Sequence, residues 1–202
     1  MSAPPLPPFA VPATPLANAW VTLEPLRPDH VQELFAIDRE EATWRYMPSP
    51  AFADQTAAQA WCDHMRADMT AGTRVTYVIR RRSDDRVAGS TSLFDFRVPE
   101  RALEIGYTWL APFACRTEVN TETKLLLLTH CFETLHCGRV QLKTDARNTT
   151  SQRAIERLGA QREGVLRRHL RVQGGFVRDS VFYSILPEEW PPIQARLTAR
   201  LA

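Results

Sequence analysis

The chain has 202 residues, 24% of them charged and 44% hydrophobic, with a formal net charge of +2. That length supports one domain with its own apolar core, without help from disulfides or a structural metal. The near-neutral balance excludes a global electrostatic pull toward nucleic acid or a membrane surface.

The first stretch, MSAPPLPPFAVPATPLANAW, carries six prolines in eighteen residues and reads as an extended arm over residues 1–19. It lacks a basic start followed by an apolar core, so it does not read as a secretory signal. The apolar block at 125–128 is far short of a membrane span. The four cysteines, at 62, 115, 131 and 137, show no C-x-x-C spacing. With no export signal they are expected to be reduced thiols, which places the chain in the cytoplasm.

A short alternating stretch, Val21, Leu23 and Leu26, predicts a strand. Pro28-Asp29 then starts a helix whose inner face is Val31, Leu34, Phe35 and Ile37. Asp54 caps a second helix, which Gly72 ends. Three strand-like runs follow, TRVTYVIRR, VAGSTSLFDF and LEIGYTWL, with connections short enough for an antiparallel meander. A helix is expected from about Asn120 to His136, closed by Gly138. RVQLKTDA reads as a strand. Asn148 caps another helix with Ala154, Ile155 and Leu158 inward and Gly159 at its end. A hairpin about Gly174-Gly175 closes the domain. This order predicts an α/β fold with one mixed sheet covered by helices on both faces.

The segments LEIGYTWLAPF, VNTETKLLLLTHCFETL, RVQLKTDARNTTSQRAIERLGAQREGVLRRH and GGFVRDSVFYSILPEEW, in that order and spacing, resemble the GNAT superfamily of acyl-CoA-dependent N-acetyltransferases. Within it they look like the ribosomal-protein-alanine N-acetyltransferase (RimJ/RimL) type. The resemblance runs from about Val21 to Trp190. It implies a GNAT fold with a mostly antiparallel mixed sheet of about seven strands, and a single domain over 20–190. A C-terminal tail, 191–202, is expected to be helical. It also implies acetyl-CoA as donor substrate with no metal, and a primary amine, either a protein N-terminus or a small molecule, as acceptor. A homodimer is allowed; nucleic acid and membrane are not expected as partners.

In such a site a helix N-terminus offers unpaired N–H groups and a partial positive charge to a diphosphate. A strand beside it, here Trp109 and Leu110, pairs with the amide-bearing arm of the donor. The family's loop reads Gln or Arg, two residues, Gly, one residue, then Gly, Ala or Asn, and its second position is often Gly as well. Here these positions fall on Cys115, Arg116, Thr117, Glu118, Val119 and Asn120, so the characteristic glycine is a glutamate. A carboxylate about 5 Å from a phosphate charge costs roughly 3 kcal/mol at an effective dielectric of about 20. Against this, Arg116 could pair with the phosphate or with Glu118. The departure opens a second reading, a catalytically silent protein that keeps the scaffold as a binding or regulatory module.

The resemblance places Glu104 as the base that takes the amine's proton, on a strand face shared with Gly106 and Thr108. The plain alternative is a strand carboxylate paired with an arginine. Ser151 matches the hydroxyl that protonates the departing thiolate, or it is a helix-start serine satisfying backbone amides. The family's tyrosine one turn later falls on Ile155. Asn148 reads as a cap, a donor contact, or both. Trp44, Tyr46 and Met47 match the acceptor side, or are core lids. Cys115 next to Arg116 could be a reactive thiol, though the sequence places no His or carboxylate evidently beside it. His130, Cys131, His136 and Cys137 do not converge at helical spacing as metal ligands. The arginines at 147, 153, 157, 162, 167, 168 and 171 read as a solvated face or, less simply, as an RNA or phosphate patch.

Overall fold

The computed structural model describes residues 6–37 and 41–201; the first five residues of the proline-rich arm, residues 38–40 and Ala202 lie outside it. Among the described residues eight strands form one sheet: β1 (Leu16–Ala17), β2 (Val21–Pro25), β3 (Arg74–Arg81), β4 (Arg86–Arg97), β5 (Ala102–Leu110), β6 (Arg139–Asp145), β7 (Gln161–Arg171) and β8 (Val177–Ile185). Their order is β1-β2-β3-β4-β5-β6-β8-β7. Every pairing is antiparallel except β5 with β6. The additional strand is β1, in the arm, where Leu16 and Ala17 pair with Leu23 and Thr22. Two residues among prolines are too few to show a period.

Helices α1 (Val31–Ile37), α2 (Glu41–Trp44) and α3 (Gln55–Thr70) cover one face. On the other face lie α4 (Val119–Thr129), α5 (Thr149–Leu158) and α6 (Trp190–Leu201). Local chemistry sets most of these ends. Asp54 Oδ1 accepts from Ala57 N–H at 2.8 Å, and Gly72 turns left-handed past α3. Asn148 Oδ1 accepts from Ser151 N–H at 3.0 Å, and Gly159 closes α5 at φ 101°. The end of the central helix differs from expectation. α4 runs on as a π-helical turn over His130–Thr134, and the left-handed residue is His136 at φ 52°. Gly138 serves another purpose, since a Cβ there would stand 2.8 Å from the carbonyl oxygen of Glu100. It is a close-approach glycine rather than a helix stop.

The arm is held to the domain through side chains. Phe9 lies under the Arg101 guanidinium at 5.2 Å, and Arg101 Nη1 donates to the carbonyl of Pro7 at 2.7 Å. No helix among the described residues is long and apolar enough to cross a membrane.

Two irregularities shape the centre of the sheet. The parallel strands pair only at Ala102–Arg139, Leu103–Val140 and Glu104–Gln141. Beyond Glu104, β5 stays with β4 while β6 follows β8, so the two strands part. The second is a bulge in β5. Ser92 faces Gly106 but Ser90 faces Trp109, which puts one extra residue on β5, and Tyr107 takes φ 50°. Past the bulge every side chain changes face.

Candidate functional site

A cavity of about 570 Å³ lies where β5 and β6 part, reaching from the start of α4 to the β7–β8 hairpin. The size suits one small-molecule site.

At one end is Glu104, 1% exposed. Its Oε2 accepts from Lys143 Nζ at 2.6 Å and Gln141 Nε2 at 2.8 Å. The partner is thus a lysine, two residues past Gln141 on the same face of β6. Burial pushes the Glu104 carboxyl up, and the charge and hydrogen bonds of Lys143 and Gln141 only partly oppose that shift. Gly106 keeps room beside it, because a Cβ there would stand 3.1 Å from Glu104 Oε1. Thr108 does not share this face. The bulge at Tyr107 turns Thr108 toward α4 and sends Trp109 into the opposite layer.

Trp44 is 2% exposed and packs on Phe52 and Trp109 at centroid distances of 5.2 and 5.0 Å. It belongs to the apolar layer under α1–α3 and does not line the cavity, unlike Tyr46 and Met47. Burying a large ring against two others outweighs leaving it for a ligand.

At the other end the loop between β5 and α4 takes shape from its own side chains. Thr117 Oγ1 donates to the carbonyl of Ala114 at 2.8 Å and accepts from Val119 N–H at 3.3 Å. Glu122 N–H is the first to reach an intrahelical carbonyl, that of Glu118 at 2.8 Å. The amides of Asn120 and Thr121 have no acceptor among the described residues, which leaves an open helix start. The two replaced glycine positions are unlike each other. Arg116 has φ 62°, a conformation that favours glycine, whereas Glu118 has φ −66° and is ordinary helical backbone. Both side chains are exposed, they form no ion pair with one another, and neither lines the cavity. Cys115 and Asn120 do line it, with Trp109 and Leu110; Thr117 and Val119 do not.

Ser151 and Asn148 line the opposite wall from the start of α5. Asn148 is the cap by geometry, and the Ser151 amide is what it caps. Ile155, one turn on, also faces the cavity and brings no polar atom. Among the described residues no group of three His, Cys, Asp or Glu could hold a metal. Cys131 and Cys137 are instead buried free thiols in contact with each other. Of the seven arginines, Arg147 is the one tied into the site. It grips Asp145 and covers the rings of Phe176 and Tyr46 at 3.9 and 5.6 Å.

Four basic residues of the cavity were not anticipated. Arg178 donates to the carbonyl of Tyr46 at 3.1 Å, tying the hairpin to the loop after α2. His169 Nδ1 lies 3.0 Å from Ser180 Oγ. Lys143 holds Glu104. Lys124, from the second turn of α4, is 6% exposed and donates to Thr108 Oγ1 at 2.7 Å. Thr108 in turn meets Thr91 Oγ1 at 2.8 Å. Burial pushes the Lys124 amine down to about 7, and no carboxylate pairs with it among the described residues. A sequence signal existed: the chain has 23 arginines and only two lysines, Lys124 and Lys143, and both line this cavity.

The chain is similar to several known proteins. It is 35% identical over 107 residues to YdaF of Bacillus subtilis (strain 168), whose name gives it as a candidate ribosomal N-acetyltransferase. That match spans 53% of this chain and 57% of YdaF, so only part of the relative is matched. A GCN5-related N-acetyltransferase from Brucella melitensis superposes with a TM-score of 0.91 at 26% identity, over 97% of this chain and 89% of that one. A candidate acetyltransferase from T. thermophilus superposes at 0.85 with 36% identity, each chain covered in full. The family profile described as the acetyltransferase (GNAT) domain matches residues 21–161, and with that match the chain belongs to the GNAT acetyltransferase family.

Proposed function

We propose that this protein is an acetyl-CoA-dependent N-acetyltransferase of the RimJ/RimL type that transfers its acetyl group directly to a primary amine, a protein N-terminus or a small molecule. The carrying observation is the open helix start at the mouth of the cavity, with Glu118 turned to solvent rather than into it. The amides of Asn120 and Thr121 fit a diphosphate there. The edge of β5 freed beyond Glu104 fits the amide-bearing arm of the donor along Trp109 and Leu110. Ion pairing fixes Glu104 at the far end, where its raised carboxyl takes the proton of an incoming ammonium. Ser151, across the parted strands, supplies a hydroxyl to the departing thiolate. Tyr46 and Met47 form the acceptor side together with the hairpin.

The silent reading rests on the replaced glycines, and the exposure of Glu118 weighs against it. A thermal-shift titration separates the two readings. Acetyl-CoA at 100 times its dissociation constant stabilises by about 2.7 kcal/mol, a rise of several degrees in Tm. No rise at millimolar acetyl-CoA overturns the proposal.

A further inference from the structure

We propose that Lys124 is itself an acyl acceptor: the bound thioester passes its acetyl group to Lys124 Nζ when no external amine occupies the cavity. This rests on the donor reading above and adds a modification site to it.

Three observations carry it. Lys124 lines the same cavity as Trp109, Leu110 and Asn120, the residues placed along the donor. Its amine is bonded to a hydroxyl and, among the described residues, to no carboxylate, so no ion pair holds it as an ammonium. Of the chain's other 24 Lys and Arg positions 23 are arginine, and arginine cannot lose a proton to become a nucleophile. The second lysine shows the contrast, since Lys143 Nζ is paired with the Glu104 carboxylate at 2.6 Å. Around Lys124 the titratable neighbours are Cys131 on its own helix and Cys137 bonded to it. Strand β5 brings Thr108, and Glu104 and Lys143 belong to the far end of the cavity. A buried amine whose ordinary value has fallen to about 7 is largely neutral at pH 8.

In the transfer the Nζ lone pair attacks the thioester carbonyl, a C–N bond forms and the C–S bond breaks. The thiolate leaves with the electron pair and takes up the proton released by the amine. The product is an amide, which is not turned over, so the event marks the chain rather than serving as an intermediate. It removes a basic group from the cavity and fills part of the donor channel.

The test uses the full chain with acetyl-CoA and no amine acceptor at pH 8, read by peptide mass spectrometry and free-thiol release. The expected result is acetylation of Lys124, an unmodified Lys143, and about one equivalent of thiol per chain. The rate should fall about tenfold between pH 8 and pH 6, as the neutral amine fraction does. Acetyl phosphate, which lacks the adenosine diphosphate and the pantetheine arm, should leave Lys124 bare. Lys124→Arg and Lys124→Met should both abolish the modification, the second guarding against misfolding around a buried guanidinium. If acetyl-CoA raises Tm but Lys124 stays unmodified, or if acetyl phosphate labels it as fast, the inference falls and the donor reading stands. If acetyl-CoA does not raise Tm, the donor reading fails and takes this inference with it.

Discussion

Lys143 and Lys124 face one cavity from its two walls and are held in opposite ways. Lys143 comes from β6 and is locked to Glu104 at 2.6 Å, with Gln141 completing the carboxylate. Lys124 comes from α4 and ends on a threonine hydroxyl. The first wall is built as a charge pair, the second as a desolvated amine. A lysine is the same residue in both places, and what differs is whether the fold supplies an anion. That contrast yields measurements on each wall.

The largest effect is expected at Glu104. Glu104→Gln keeps the shape and the Lys143 contact but removes the proposed proton acceptor, so kcat/KM toward a primary amine should fall by about 10²–10⁴-fold, the usual range for general base catalysis. Thiol release from acetyl-CoA measures it, and the thermal shift with acetyl-CoA should persist. Retained activity would make Glu104 a structural partner of Lys143 only. Lys143→Met approaches the same wall from the other side. It removes the group that pulls the Glu104 carboxyl down, leaving burial to push it higher. The acidic limb of the kcat/KM profile should therefore move to higher pH. Folding already favours the protonated form of Glu104, so stability declines as pH rises through its folded value, and more steeply in the variant.

On the other wall Lys124→Met should raise stability. The Lys124 amine is held from its ordinary 10.5 down to about 7, so folding favours its neutral form. Stability is complete only above about 10.5, where the unfolded lysine is neutral too, and is lost as pH falls from there through about 7. The gain from methionine should grow across that window and level off below it. Replacing a poorly compensated buried cation by an apolar group is worth about 1–3 kcal/mol, or a Tm increase of roughly 2–10 °C at pH 7. A Tm difference that does not change between pH 10 and pH 7 would mean that Lys124 titrates normally.

These two walls also mark what could be read before the fold was known. The caps at Asp54 and Asn148 and the stop at Gly159 are local signals, and the sequence carries them in adjacent residues. The arrangement of strands followed from the meander and the long motif. The bulge did not, because Tyr107 adopts φ 50° without a glycine to announce it. One extra residue on β5 then reversed the side of Thr108 and sent Trp109 into the same buried layer as Trp44. Lys124 was missed for a related reason. Within TETKLLLL it stands at an ordinary polar position of an amphipathic helix, and only the tertiary fold, with its amine on Thr108 of β5, buries it. His136 was overlooked in favour of Gly138 because a glycine just past a helix usually stops it, whereas this one makes room for the Glu100 carbonyl.

The loop before α4 offers a smaller pair to compare. Arg116 and Glu118 both replace glycines of the family pattern, but only Arg116 occupies a backbone conformation that glycine suits. Left-handed backbone costs an L-residue roughly 1–2 kcal/mol and glycine's extra chain entropy offsets about 0.5–1 of it, so Arg116→Gly should raise Tm by roughly 1–4 °C. The result to look for is a stability gain without donor. If Tm rises only in the presence of acetyl-CoA, the gain lies in phosphate contact and not in the backbone.

The smallest effect is expected at Glu118, the residue that looked most damaging on paper. With the carboxylate among the phosphates the cost would be roughly 3 kcal/mol, more than a hundredfold in affinity. With the side chain in solvent, at about 8 Å and near the dielectric of water, the same charge costs only about 0.5 kcal/mol. Glu118→Gln should then tighten acetyl-CoA binding about twofold at low salt, and the difference should vanish as ionic strength screens it. Isothermal titration at two salt concentrations reads both quantities. A gain near a hundredfold that survives high salt would put the carboxylate inside the cradle, where it would block the open helix start on which the donor reading depends.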